Sequence, residues 1–194
     1  MKGEELDILR EIATIGAGSA SRALGKVVGQ VVDVQVPSVQ LVPIEKVPDV
    51  MGAADQVTTV IQVKIIGDVS GVVILFLNPK DGVALTKDAS QGQPISFLEE
   101  ITNIIAGAAL AALGNFLEMN LLQSIPGSAS DMLRALINEI VTELGSEVEN
   151  ILILEARFVI GAAQTQGRIY FLFDSVSTEK ILTAARRKIG REHG

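Results

Sequence analysis

Cysteine is absent from this 194-residue chain, which removes disulfides, thiolate catalysis and thiolate metal sites together. Histidine occurs once, at His193, next to the last residue, where chain ends are usually frayed. It reads as a tail residue, so histidine-ligated metal hydrolysis and Ser-His-Asp chemistry have no candidate base. Basic residues are outnumbered: 16 Lys and Arg against 23 Asp and Glu give a net charge of −7 and an isoelectric point near 4.8. That balance argues against nucleic acid as a partner. No clean apolar run approaches the ~20 residues of a membrane span; the longest, Ile104 to Leu113, has ten and is rich in Ala and Gly. The opening "MKGEELDILREI" is charged from the outset and has no secretory apolar core. No G-x-x-x-x-G-K phosphate loop occurs, and "GAGSAS" is too weak to mark a nucleotide site. The expectation is an acidic, cytoplasmic protein without a membrane or nucleic-acid partner.

What the chain does have is apolar residues and a repeat. Hydrophobic residues make up 48% and the mean hydropathy is +0.40, which suggests a well-buried sheet, an extensive partner surface, or both. Set over one another at an offset of 89 without gaps, Leu6 to Pro37 and Ile95 to Pro126 match repeatedly. Glu11 falls on Glu100, Ile12 on Ile101, Ala17 and Gly18 on Ala106 and Gly107, Leu24 and Gly25 on Leu113 and Gly114, and Pro37 on Pro126. Small residues coincide easily; Glu, Gly, Leu-Gly and Pro in one frame do not. The reading is a single domain spanning 1–194, made of two repeats of about 1–90 and 91–194.

Each half reads as a long helix, a strand hairpin and a shorter helix. In the first, "QVTTVIQVKII" and "VVILFL" are strands around the turn "GDVSG", and an extra strand falls at Val31 to Val42. Asn78 and Pro79 then stand as N-cap and first residue of a helix. In the second, "NILILEARFVI" and "RIYFLF" flank "GAAQTQG", and a helix begins near "SVSTEK". Gly127 to Asn150 also reads as helix, from "SASDMLRALINEIVTELG". Links this short exclude a doubly wound parallel sheet, whose crossovers take a dozen residues or more. The predicted fold is α/β (α+β): long and shorter helices on one shared mixed or antiparallel sheet, with pseudo-twofold symmetry and the long helices side by side.

Polar residues recur at fixed places on those long helices. Asp7 and Ser96 stand four residues before Glu11 and Glu100; Thr14 and Asn103 stand three after. Positions three and four apart share one helical stripe, so Ser96, Glu100 and Asn103 form one face and Asp7, Glu11 and Thr14 another, each open to a partner. Asn is a middling helix former because its amide competes for backbone groups, and a lone Glu-x2-Asn is ordinarily surface decoration. Repetition gives weight to Glu11 and Glu100, which both copies retain, and less to Asn103, since the other copy has Thr14. Pro37 and Pro126 read as structural, starting or ending a strand.

The spacing resembles the signature of the CheC, CheX and FliY family of chemotaxis phosphatases: Asp or Ser, x3, Glu, x2, Asn, x22, Pro. Ser96, Glu100, Asn103 and Pro126 match it completely; Asp7, Glu11, Thr14 and Pro37 match except at Thr14. Two copies resemble CheC more than single-copy CheX. The resemblance implies hydrolysis of the aspartyl phosphate on CheY, the response regulator of chemotaxis. It implies Asn103 as the water-positioning group, Glu100 as the partner of a receiver lysine, Ser96 and Asp7 as docking residues, and Glu11 with Thr14 as a weaker or binding-only site. It implies no cofactor of the chain's own, Mg2+ being expected on the receiver, and CheD as a further partner. The alternative is a non-catalytic binding or regulatory protein acting through CheD or the flagellar switch, whose proteins contain a similar middle domain.

Overall fold

The computed structural model describes residues 3–52, 57–86, 94–145, 148–162 and 164–192, so His193 lies outside the described residues. Two long helices, α1 (Gly3–Val28) and α4 (Pro94–Leu117), form its central pair. In α4, Leu98, Ile101, Ile105, Leu110, Leu113 and Leu117 are buried, at steps of three to five residues that keep one face inward. Ile8, Leu9, Ile12, Ala13, Ala17, Ala20 and Leu24 do the same in α1. By length and apolarity α4 could cross a membrane, with 24 residues and a mean hydropathy of 1.4. Glu99, Glu100 and Asn103 break its apolar run, so no uninterrupted stretch reaches that length. Here its apolar stripe is part of the main core.

Between and after these helices come β1 (Val32–Pro43), the one-turn α2 (Val47–Val50), β2 (Val57–Gly67), β3 (Gly71–Phe76) and α3 (Pro79–Thr86). The second half supplies β4 (Leu121–Gln123), β5 (Gly127–Met132), α5 (Leu133–Glu143), β6 (Asn150–Ile160), β7 (Thr165–Asp174) and α6 (Ser175–Glu192). Among the described residues seven strands make one sheet in the order β1-β6-β7-β3-β2-β4, with β5 also pairing β2. Every pairing is antiparallel.

The sheet is covered on both faces. Val63, Val73, Leu154, Phe158 and Phe171 point to the layer of α1, α4 and α6. Val60, Val72, Ile74, Ile153 and Leu172 point to α5 and α2. That double cover explains why all six residues of β3 are buried, as strands buried on both faces read as continuous apolar runs. The cap at α3 forms as the sequence predicts: Asn78 Oδ1 accepts the Asp81 amide at 2.9 Å with Pro79 at the first helical position.

Two local expectations change. Gly127 to Asn150 is not one helix, because Gly127–Met132 is strand β5 and the helix runs only over Leu133–Glu143. The segment "GSASDM" has little helix preference, and the backbone of Val57 to Gln62 in β2 presents hydrogen-bonding groups that β5 pairs. Thr59 and Ser130 hydroxyls add a cross-strand bond at 2.7 Å. The β6–β7 connection is also tighter than expected, since β7 already begins at Thr165.

The glycines retained between the halves do more than bring helix to helix. Helix meets helix closely at a glycine that is not retained, Gly16, whose counterpart is Ile105: Leu113 lies 3.3 Å from where its Cβ would stand. At Gly25 and Gly114, however, the neighbour is the chain itself doubling back toward the sheet. Gln30 N donates to Gly25 O at 3.2 Å and Met119 N to Gly114 O at 2.9 Å. An added Cβ would meet Gln30 O at 3.0 Å and Met119 O at 2.8 Å.

Candidate functional site

Burial of Leu98, Ile101, Thr102 and Ile105 turns the opposite side of α4 outward, and Ser96, Glu100 and Asn103 are all exposed there. The same logic in α1 exposes Asp7, Glu11 and Thr14 over the buried Ile8, Leu9, Ile12 and Ala13. Both stripes therefore lie on the surface, each on a single rigid helix. They do not come together. Arg186 of α6 pairs with Glu5 at the start of α1, and Lys188, two residues on, pairs with Glu118 just past α4. The two long helices thus run antiparallel, with Gly16 level with Leu113. At 1.5 Å per residue this sets Thr14 and Asn103 about 20 Å apart along the axis. Each stripe can meet a partner separately.

The third positions differ in their surroundings. Thr14 Oγ1 donates to its own helix, to Arg10 O at 2.8 Å. Asn103 is engaged from outside its helix: Gln123 Nε2, at the end of β4, donates to Asn103 Oδ1 at 2.6 Å and to Asn103 O at 3.0 Å. Gln123 lies over Gly107, where a Cβ would come within 3.0 Å of its Oε1. That Oε1 is buried and has no hydrogen-bond partner among the described residues. Among the docking candidates, Asp7 meets Arg10 at 3.5 Å on the open surface, a pair that adds little stability.

Sequence reasoning missed Gln123. Its counterpart at the offset of 89 is Val34, so comparing the halves gives no reason to single it out. Of the two prolines, Pro126 directly precedes β5, and Pro37 falls inside β1 where the register to β6 shifts between Gln35 and Ser38. A residue without an N–H fits such an irregularity.

The main concavities lie elsewhere. One of about 500 Å³ is lined by Arg157, Arg168, Phe76 and Gln166, and another by Glu118, Met119, Val176 and Arg187. Small-molecule sites are usually concave, whereas the two stripes are outer helix surfaces that suit a protein partner. Among the described residues no three His, Cys, Asp or Glu side chains converge as a metal site needs.

The chain is 28% identical over 201 aligned positions to the CheY-P phosphatase CheC of Bacillus subtilis, covering 95% of each protein. The crystal structure of Thermotoga maritima FliY superposes with a TM-score of 0.78 at 18% identity, over 97% of this chain and 98% of that one. The chain is similar to CheC in sequence and to FliY in fold. FliM in the H. pylori FliG–FliM complex also shares the fold, with a TM-score of 0.63 at 16% identity over 94% of this chain and 100% of that chain. No family model matches the chain. This CheC-like chain thus carries one complete motif with an anchored Asn103 and one variant motif whose Thr14 is folded back on its helix.

Proposed function

We propose that this protein hydrolyses the aspartyl phosphate of a CheY-type receiver domain, with Asn103 positioning the attacking water and Glu100 docking the receiver. One observation carries the reading. The complete stripe of Ser96, Glu100 and Asn103 is exposed on a rigid helix, in a chain aligned over 95% of its length with a CheY-P phosphatase.

The chemistry asks little of the protein. The water oxygen forms a bond to phosphorus as the bond to the aspartyl oxygen breaks, and the carboxylate leaves with that electron pair. A carboxylate of ordinary pKa near 3.9 departs without a general acid, and the water's proton passes to the phosphate product or solvent. The remaining task is to hold the water in line, as a Gln does in some GTPases. With one lone pair of Asn103 Oδ1 engaged by Gln123, the other accepts a hydrogen bond from the water while Nδ2 donates toward a phosphoryl oxygen. Positioning of this kind is worth several kcal/mol. The Mg2+ belongs to the receiver, and this chain contributes no cofactor.

Glu100 pairs with a receiver lysine at the rim of the contact, which governs encounter and alignment more than the chemical step. Ser96 and Asp7 support docking. Glu11 and Thr14 make a second, weaker face. The protein acts in the cytoplasm, as one domain built from a duplicated unit. The strand order supports the duplication, because it reads the same from both ends when β1, β2 and β3 are matched with β4/β5, β6 and β7.

The test follows phosphate loss from a Mg2+-bound phosphorylated CheY-type receiver with wild type, Asn103→Ala, Glu11→Ala and Thr14→Asn. Acceleration by wild type that survives Glu11→Ala and disappears with Asn103→Ala is expected. Loss of one preorganised donor typically raises a barrier by about 2.7–4 kcal/mol, a hundred- to thousandfold in rate. Binding without acceleration would favour the second reading, a regulatory module acting through CheD or the flagellar switch. The likeness to FliM from the FliG–FliM complex supports that alternative.

A further inference from the structure

The backbone carbonyl of Asn103 can only accept a hydrogen bond, and Gln123 Nε2 donates to it at 3.0 Å. That contact leaves the Gln123 amide a single workable orientation, nitrogen toward α4. The same nitrogen lies 2.6 Å from the Asn103 side-chain amide, so Asn103 must present its oxygen there and turn its nitrogen away. Among the described residues Asn103 Nδ2 has no partner, and the side chain is exposed. A surface asparagine would otherwise sample several rotamers and both amide orientations. Here its rotamer and its orientation are both set from the neighbouring strand.

Keeping Gln123 in place carries two local costs. Gln123 Oε1 is buried without a partner among the described residues, and such groups in folded proteins call for an explanation. Gly107, a poor helix residue, leaves the space the amide fills, since a Cβ there would stand 3.0 Å from Oε1 and 3.3 Å from Nε2. In the first half Val34 replaces Gln123, and a Cβ on the matching Gly18 would meet only Arg22, at 3.6 Å.

We infer that Gln123 is a positioning residue: it fixes the Asn103 amide with its nitrogen toward the incoming phosphoryl group, and Gly107 makes the room it needs. This rests on the phosphatase reading for its purpose, while the orientation of the amide stands by itself. Gln123 touches neither water nor phosphate; it acts through Asn103.

The experiment joins two readouts. The first, needing no receiver, is the side-chain 15N–1H2 resonance of Asn103 in the free protein, compared between wild type, Gln123→Met and Gly107→Ala. A distinct wild-type signal that moves toward the free-amide position in both variants is expected, and an unchanged signal in Gln123→Met would overturn the inference. The second is receiver dephosphorylation. Gln123→Met should lower kcat by about ten- to a hundredfold with KM unchanged. An unchanged kcat, or a rise in KM alone, would overturn the inference. If wild type accelerates nothing, the phosphatase reading fails, and the resonance still decides whether Gln123 orients Asn103.

Discussion

Thr14 donates its hydroxyl to the carbonyl of Arg10, one turn back in its own helix, at 2.8 Å. The matching position in the other half, Asn103, is held by a side chain from a strand twenty residues on. A threonine satisfied by its own helix has one donor fewer to offer a partner, and its side chain is shorter than that of asparagine.

Restoring only the residue type should therefore restore only part of the first site. Thr14→Asn alone is expected to add a small increment to phosphate release. Thr14→Asn with Val34→Gln should add more than the sum of the single changes, as contacting residues couple by ~0.5–3 kcal/mol. Single-turnover assays in the Asn103→Ala background isolate that site, and strict additivity of the two changes would count against the scheme.

Glu100→Gln removes a charge from an exposed helix face. KM for the phosphorylated receiver should rise several-fold while kcat stays near wild type. The difference should shrink in about 1 M salt, where the Debye length is only ~3 Å. Titrating receiver at low and high salt provides the check; an equal loss at both would place Glu100 in the chemical step instead.

Leu113 sits in the core against Gly16 with 3% of its surface exposed. Leu113→Ala should cost about 2–5 kcal/mol of stability. Urea unfolding should show a lower midpoint at unchanged slope, and the folded fraction should keep its activity because Asn103 and Gln123 lie elsewhere.

Gly114→Ala gains up to ~1 kcal/mol of helix preference but drives a Cβ to 2.8 Å from Met119 O, a backbone atom. The clash should win, with a net loss of ~1–3 kcal/mol. Gly25→Ala, whose Cβ would lie at 3.0 Å from Gln30 O, should lose less. Thermal melts of both variants test the order.

Periodicity in the chain is enough to locate most elements. The β-branched run at Val57–Gly67, the Asn78–Pro79 helix start and the long helices carrying Glu11 and Glu100 all form where local pattern places them. Local pattern failed at Gly127–Met132, where Gly127, Ser128, Ser130 and Asp131 weaken a helix that Ala129 and Met132 would favour and pairing with β2 decides. It also failed to show α4 as one apolar helix of membrane-spanning length, because Glu99, Glu100 and Asn103 interrupt its apolar run.

By itself, then, the sequence determined that Ser96, Glu100 and Asn103 share a face, since a helix of 3.6 residues per turn leaves no other arrangement. It determined also that the matched residues Asp7, Glu11 and Thr14 do the same. Only the tertiary structure decided that the long helices run antiparallel, which separates the two faces, and that Gln123 reaches Asn103 across Gly107. Periodicity records which way a residue points from its own axis. What stands opposite depends on where the chain returns, and that is set by burying both sheet faces at once.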